Sequence, residues 1–149
     1  MSKIILLDSI RSMQNVGAIF RNADGAGFEK VILTGTCPTP PRNDISKTAL
    51  GAETFIDWEY YSNPFEILDI LRKKGYSIIS VELDPRSVQY SELFKEKNDN
   101  VVLVMGNEIL GVNKEILDIS DKIVIIPMRG KKESLNVSVA AGIVMYAVN

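Results

Sequence analysis

Short apolar runs rich in β-branched residues recur along the chain at 3–7, 30–33, 54–58, 77–82, 100–105 and 122–126. Most of the segments between them carry helix signals. This alternation predicts an α/β fold, with a mostly parallel sheet of about six strands and helices on both faces. Residues 64–74 give the clearest helix, with Asn63 as N-cap, Pro64 at the first helical position and Gly75 as the stop. A second helix is expected over about 16–26, opened by Asn15, and a third over 137–148. Residues 34–48, rich in Thr and Pro, form the longest expected loop. Long ordered loops in compact domains are usually functional.

The expected final helix is apolar nearly all round. Val137, Val139, Ala140, Ala141, Ile143, Val144, Met145, Ala147 and Val148 leave only Ser138, Gly142 and Tyr146 between them. An outer helix ordinarily keeps one wet face. A helix without one implies cover from a second subunit, so 137–148 is expected to build a homodimer; the alternative is a helix threading the centre of the monomer.

Three polar, glycine-bearing segments each follow an apolar run: 9–27, 105–111 and 126–140. In a parallel α/β sheet the loops after the strands converge on one crevice, so the three are candidates for a common site. In the third, Pro127 ends the strand, Gly130 permits a backbone conformation closed to other residues, and Ser134 and Asn136 are both N-cap candidates. In the first, Asn15 and Arg21 can share a broad helical face. Gly25 and Gly27 end a helix instead of following a strand, which is the wrong context for a dinucleotide fingerprint. In the second, Glu108 either caps the next helix or orders Arg21 or the third segment.

Composition narrows the chemistry. The sequence has no histidine, which excludes a Ser/His/Asp triad, a histidine metal cluster and an imidazole base. Its single cysteine, Cys37, excludes an internal disulfide and a cysteine metal site, and fits a reduced cytoplasmic setting. No metal is expected. No apolar run approaches the ~20 residues that span a bilayer, and the first residues lack a signal-peptide pattern, so no membrane partner is expected either. The net charge of −2 taken globally speaks against nucleic acid. Its distribution matters more: Arg11, Arg21, Arg42, Lys47, Arg129, Lys131 and Lys132 lie in or beside the three segments, while acidic residues concentrate between 57 and 121.

The order of the three segments carries a resemblance. Asn15-Val16-Gly17-x-Ile19-x-Arg21-x-Ala23, Gly106-x-Glu108-x-x-Gly111, and Ile126-Pro127-Met128-x-Gly130 through Ser134-Leu135-Asn136-Val137-Ser138-Val139-Ala140, with a further familiar stretch at 47–53, closely resemble the SpoU family of RNA ribose methyltransferases, within the trefoil-knotted SPOUT superfamily. The resemblance covers essentially the whole chain; Ile109 stands where the family often has glycine. It implies a C-terminal trefoil knot, S-adenosylmethionine as methyl donor, and a ribose 2′-hydroxyl of structured transfer or ribosomal RNA as acceptor. At 149 residues the chain is expected to be a single methyltransferase domain with no appended RNA-binding domain.

The resemblance also assigns residues. Met105, Gly106, Asn107, Gly111, Ile126, Met128, Gly130, Ser134, Leu135 and Asn136 would hold the cofactor, with Thr34 and Gly35 contributing to the same pocket. Arg21 would hold a substrate phosphate and orient the hydroxyl, Asn15 would position the ribose, Glu108 would organise Arg21 and the loops, and Ser134 and Asn136 would shape the acceptor side. Because a guanidinium keeps its proton to above pH ~12, a phosphate oxygen or water is the expected proton acceptor. Arg11, Arg42, Lys47, Arg129, Lys131 and Lys132 are the expected RNA contacts. The alternative of a different class is a catalytically silent RNA-binding dimer of the same fold. A flavodoxin-like module shares the alternation but does not explain the third motif.

Overall fold

In the computed structural model, which describes residues 1–148, the apolar runs become the strands of one seven-stranded sheet. The strands are β1 (Ser2–Asp8), β2 (Lys30–Thr34), β3 (Asp57–Tyr61), β4 (Ser77–Val81), β5 (Val88–Gln89), β6 (Asn100–Met105) and β7 (Lys122–Ile125), in the order β3-β2-β1-β6-β4-β7-β5. Every pairing is parallel. The helices are α1 (Met13–Ala26), α2 (Asn43–Ala49), α3 (Pro64–Lys73), α4 (Lys114–Ile119) and α5 (Val137–Ala147).

The central strands read as continuous apolar runs because both faces are covered. On β1, Ile5 and Leu7 enter one core and Ile4 and Leu6 the other; on β6, Leu103 and Met105 divide from Val102 and Val104 in the same way. The first core is closed by α1, α2 and α5 through Val16, Phe20, Ile45, Val144 and Met145. The second is closed by α3 and α4 through Leu68, Leu71, Ile116 and Leu117. No helix among the described residues is long and apolar enough to cross a membrane.

Several expectations need correction. The sheet has seven strands, not six, because the two-residue β5 is too short to register as an apolar run. The third strand begins at Asp57, after a 3-10 turn at Ala52–Thr54, and none of its residues is fully buried because it lies at the sheet edge. Residues 34–48 are not all loop: α2 occupies Asn43–Ala49, opened by Arg42, which makes no side-chain cap, and so gives little sequence signal. The short α4 was likewise unmarked by any long apolar period; Asn113 caps it, accepting from Glu115 N. Ser12, not Asn15, caps α1, so that helix begins three residues earlier than the polar pattern suggests. Gly130 is not among the positive-φ glycines, and a Cβ there would meet nothing within 4 Å. On α5, Ala141, Val144, Met145 and Ala147 are buried, whereas Val139 and Tyr146 are 49% and 63% exposed.

Candidate functional site

Strands β4, β6 and β7 end side by side, and the chain leaving them surrounds a pocket of about 380 Å³. Apolar side chains, among them Ile126, Met128, Leu135, Val137 and Ala140, make much of its wall. Backbone and polar groups come from 105–111 and 133–136. An apolar cleft with a few fixed polar groups is the usual form of a small-molecule site.

The turn after β6 is held from within by Asn107. Its side-chain oxygen accepts from the N–H groups of Ile109 and Leu110, both at 2.9 Å, and its carbonyl accepts from Gly111 N at 2.9 Å. Its amide donates to the Ser9 carbonyl at 2.8 Å, which ties the turn to the end of β1, where Ser9 adopts a φ of 55°. Gly111 has φ 73°, a conformation that calls for glycine, and the space a Cβ would take there is filled by the Glu82 carboxylate, with Oε2 2.0 Å from that position. That same oxygen accepts from Val112 N at 2.8 Å. The turn is therefore fastened to β1 on one side and to the end of β4 on the other.

Glu108 connects the turn to α1. Its carboxylate accepts from the backbone N–H groups of Arg11 (3.2 Å) and Ser12 (3.0 Å) and from the Asn15 amide (3.3 Å). Partial burial works to raise the carboxyl pKa, but the N–H donors outweigh it and hold Glu108 below the ordinary glutamate value. Asn15 Oδ1 in turn accepts from Asn136 Nδ2 at 3.2 Å. Asn136 is also the N-cap of α5, accepting from Ser138 N at 2.9 Å and Val139 N at 3.3 Å. One hydrogen-bonded line, Glu108–Asn15–Asn136, thus joins all three polar segments at the pocket rim. The cap belongs to Asn136 alone of the two candidates; Ser134 lines the pocket without capping.

The sequence-predicted residues divide into groups. Met105, Gly106, Asn107, Glu108, Gly111, Ile126, Met128, Ser134, Leu135 and Asn136 line the pocket. Thr34 and Gly35 do not: Thr34 is fully buried, its hydroxyl donating to Asp8 Oδ1 at 2.8 Å, and Gly35 packs on Ser9. Gly130 is exposed outside the lining. Arg21 also lies outside it. It faces a second, shallow concavity between α1, α2 and α5, lined by Ala18, Asn22, Gly25, Lys47, Thr48 and Tyr146. Glu108 bonds to the start of α1 and has no hydrogen bond with Arg21. Arg11, Arg42, Arg129, Lys131 and Lys132 are exposed and form no ion pair among the described residues, while Lys47 pairs with Asp44 at 3.3 Å. Glu82 was missed. It sits in a run, Ser-Val-Glu-Leu, that reads as a strand end, and only its contact with Gly111 marks it as part of the site. No group of three or more potential metal ligands occurs among the described residues.

A model of the SpoU rRNA methylase family matches residues 2–146. Among curated proteins, the chain is 34% identical over 143 residues to a tRNA (guanosine(18)-2′-O)-methyltransferase of Aquifex aeolicus, covering 96% of this chain and 66% of that protein. It is 31% identical over 145 residues to an uncharacterized tRNA/rRNA methyltransferase of Borreliella burgdorferi, covering 97% and 62%. Among solved structures, an AdoMet-bound rRNA methyltransferase from Sinorhizobium meliloti superposes with a TM-score of 0.90 at 28% identity, over 98% of this chain and 55% of that one. The chain therefore spans 62 to 66% of the length of these two curated relatives.

Proposed function

Because the chain belongs to the SpoU rRNA methylase family, we propose that it is an S-adenosylmethionine-dependent methyltransferase acting on a ribose 2′-hydroxyl in structured RNA. The observation that carries this reading is the Glu108–Asn15–Asn136 line, which brings the three family segments to the rim of one pocket. The pocket suits the donor: apolar Ile126, Met128 and Leu135 offer a surface for adenine, and the peptide groups of 105–111 and 133–136 offer polar partners. The bound donor supplies an activated methyl on a sulfonium.

What the chain must then do is align the hydroxyl and let its proton leave. Asn15 stands at the rim between Glu108 and Asn136, and both partners fix its amide, so it is placed to orient the acceptor ribose. Ser134 and Asn136 shape the same side. Arg21, exposed and unpaired among the described residues beside Lys47, grips a phosphate flanking the target nucleotide. The exposed cations Arg11, Arg42, Arg129, Lys131 and Lys132 extend this hold along the backbone, in a salt-sensitive way. A homodimer through 137–148 would cover the exposed Val139 and Tyr146 of α5.

Calorimetric titration with S-adenosylmethionine tests the reading. Micromolar binding is expected, and no detectable binding would favour the silent RNA-binding alternative. The substrate follows from mapping ribose methylation in RNA from cells lacking this gene: a site lost with the gene and restored by the chain identifies it, and an unchanged map contradicts the proposal.

A further inference from the structure

The pocket wall carries negative charge that has no ion-pair partner among the described residues. Glu82 and Glu108 both line it. Glu82 accepts from the backbone N–H groups of Leu83 (2.9 Å) and Val112 (2.8 Å). Glu108 accepts from Arg11 N, Ser12 N and the Asn15 amide. Neither carboxylate forms an ion pair among the described residues, and no described Lys or Arg lines the pocket, while Glu133 adds a third carboxylate at its exposed edge. Neutral N–H donors hold Glu108 ionised without cancelling its charge. The Glu82 charge is also fixed in place, because its Oε2 both packs against the side-chain-free Gly111 and holds Val112 N.

Resting on the methyl-transfer reading, we propose that Glu82, together with Glu108, makes this pocket distinguish the donor from its spent form by charge. In the transfer, the methyl–sulfur bond breaks and leaves its electron pair on sulfur. A methyl–oxygen bond forms at the ribose, and the hydroxyl proton leaves to a phosphate oxygen or water. The cationic sulfonium becomes a neutral thioether, so the ligand loses one positive charge while its shape barely changes. An anionic wall without counter-charges favours the ligand before transfer and loosens its hold afterwards. Glu82 is thus a specificity-determining residue that promotes turnover by helping the product depart.

The test is a set of calorimetric titrations of the full chain with three ligands: S-adenosylmethionine, S-adenosylhomocysteine, and sinefungin, an analogue with an amine in place of the sulfonium. For the native chain the donor should bind roughly tenfold tighter than the thioether product, as expected for one charge at several ångströms in a partly solvated pocket. Sinefungin should side with the donor, since it keeps a positive charge without the transferable methyl. Glu82→Gln retains an acceptor for Val112 N but removes the charge, and should shrink the donor-to-product ratio severalfold while leaving product affinity nearly unchanged. Added salt should shrink it as well. A native ratio of one or less, or a ratio unchanged by Glu82→Gln, overturns the inference while the methyltransferase reading stands. If none of the three ligands binds, both fall together.

Discussion

Asn15 and Asn136, 121 residues apart in sequence, share a hydrogen bond of 3.2 Å from the Asn136 amide to the Asn15 side-chain oxygen. Through it the cap of α5 and the first turn of α1 become one structure. The two roles of Asn136 separate by substitution. Asn136→Ala removes both the cap and the link, and should cost about 1 kcal/mol of stability as well as activity. Asn136→Asp keeps an oxygen for Ser138 N and Val139 N but cannot donate to Asn15, so it should melt close to the native chain while methyl transfer slows. Thermal denaturation and single-turnover rates check the pair; a native rate in the Asp variant contradicts the positioning role.

Arg21 lies outside the pocket proposed for the cofactor, so its loss should be felt by RNA chemistry alone. Arg21→Lys keeps the charge but loses the planar fork that holds a phosphate at two points. Methyl transfer should fall by roughly 100-fold, the scale of a small misplacement of reacting groups. Cofactor affinity by calorimetry should be unchanged. Near-native transfer with unaltered RNA binding would remove Arg21 from the mechanism.

The RNA hold should be ionic. Replacing Lys131 and Lys132 together by Ala should flatten the slope of log affinity against log salt by roughly 1 to 2. Filter binding across a salt series measures it, and identical slopes would place these lysines away from the RNA.

Gly17 permits the close contact of α1 with α2. A Cβ there would fall 2.2 Å from the Ile45 carbonyl oxygen and 3.0 Å from Ala49 N, both backbone atoms that cannot simply rotate away. Gly17→Ala should therefore destabilise the fold by ~2 kcal/mol, despite the ~1 kcal/mol that alanine ordinarily adds to a helix. Denaturant unfolding decides; a stabilised variant would mean that the helices separate freely.

Cys37 gives a pH signature. Burial pushes its thiol from an ordinary value near 9 up to about 11, with partial relief from backbone N–H groups, chiefly that of Ile10. The folded state therefore keeps its proton longer than the unfolded chain does. The resulting stability is complete below pH 9 and is lost as pH rises through about 11. Relative to Cys37→Ala, the native chain should lose about 3 kcal/mol of unfolding free energy across that window. Parallel pH profiles for the two proteins would contradict it.

Much of the sheet was legible because central parallel strands are buried on both faces and so are written as unbroken apolar runs; residues 100–105 match β6 at both ends. The edge was harder. The two-residue β5 buries too little to leave a run, the half-exposed β3 starts three residues later than the run at 54–58 suggests, and α2 and α4 are seven and six residues long, shorter than the window over which helical periodicity becomes clear. In the site, loop composition marked Glu108, Gly111 and Asn136, and the family resemblance added Asn107. Glu82 carried no such mark, because its role comes from a neighbour 29 residues on, Gly111, across two strands of the sheet. Periodicity also says nothing of how the chain threads, nor that Arg21 would face a concavity of its own beside Lys47 and Tyr146.

Methyl transfer to ribose is measured by incubating the purified chain with S-adenosylmethionine labelled in its methyl group and with transfer and ribosomal RNA, then digesting the RNA to nucleosides. Label is expected in a 2′-O-methylnucleoside, appearing roughly 100-fold more slowly when Arg21→Lys replaces the native chain. Label confined to a base, or no label in RNA although the cofactor binds, would contradict it.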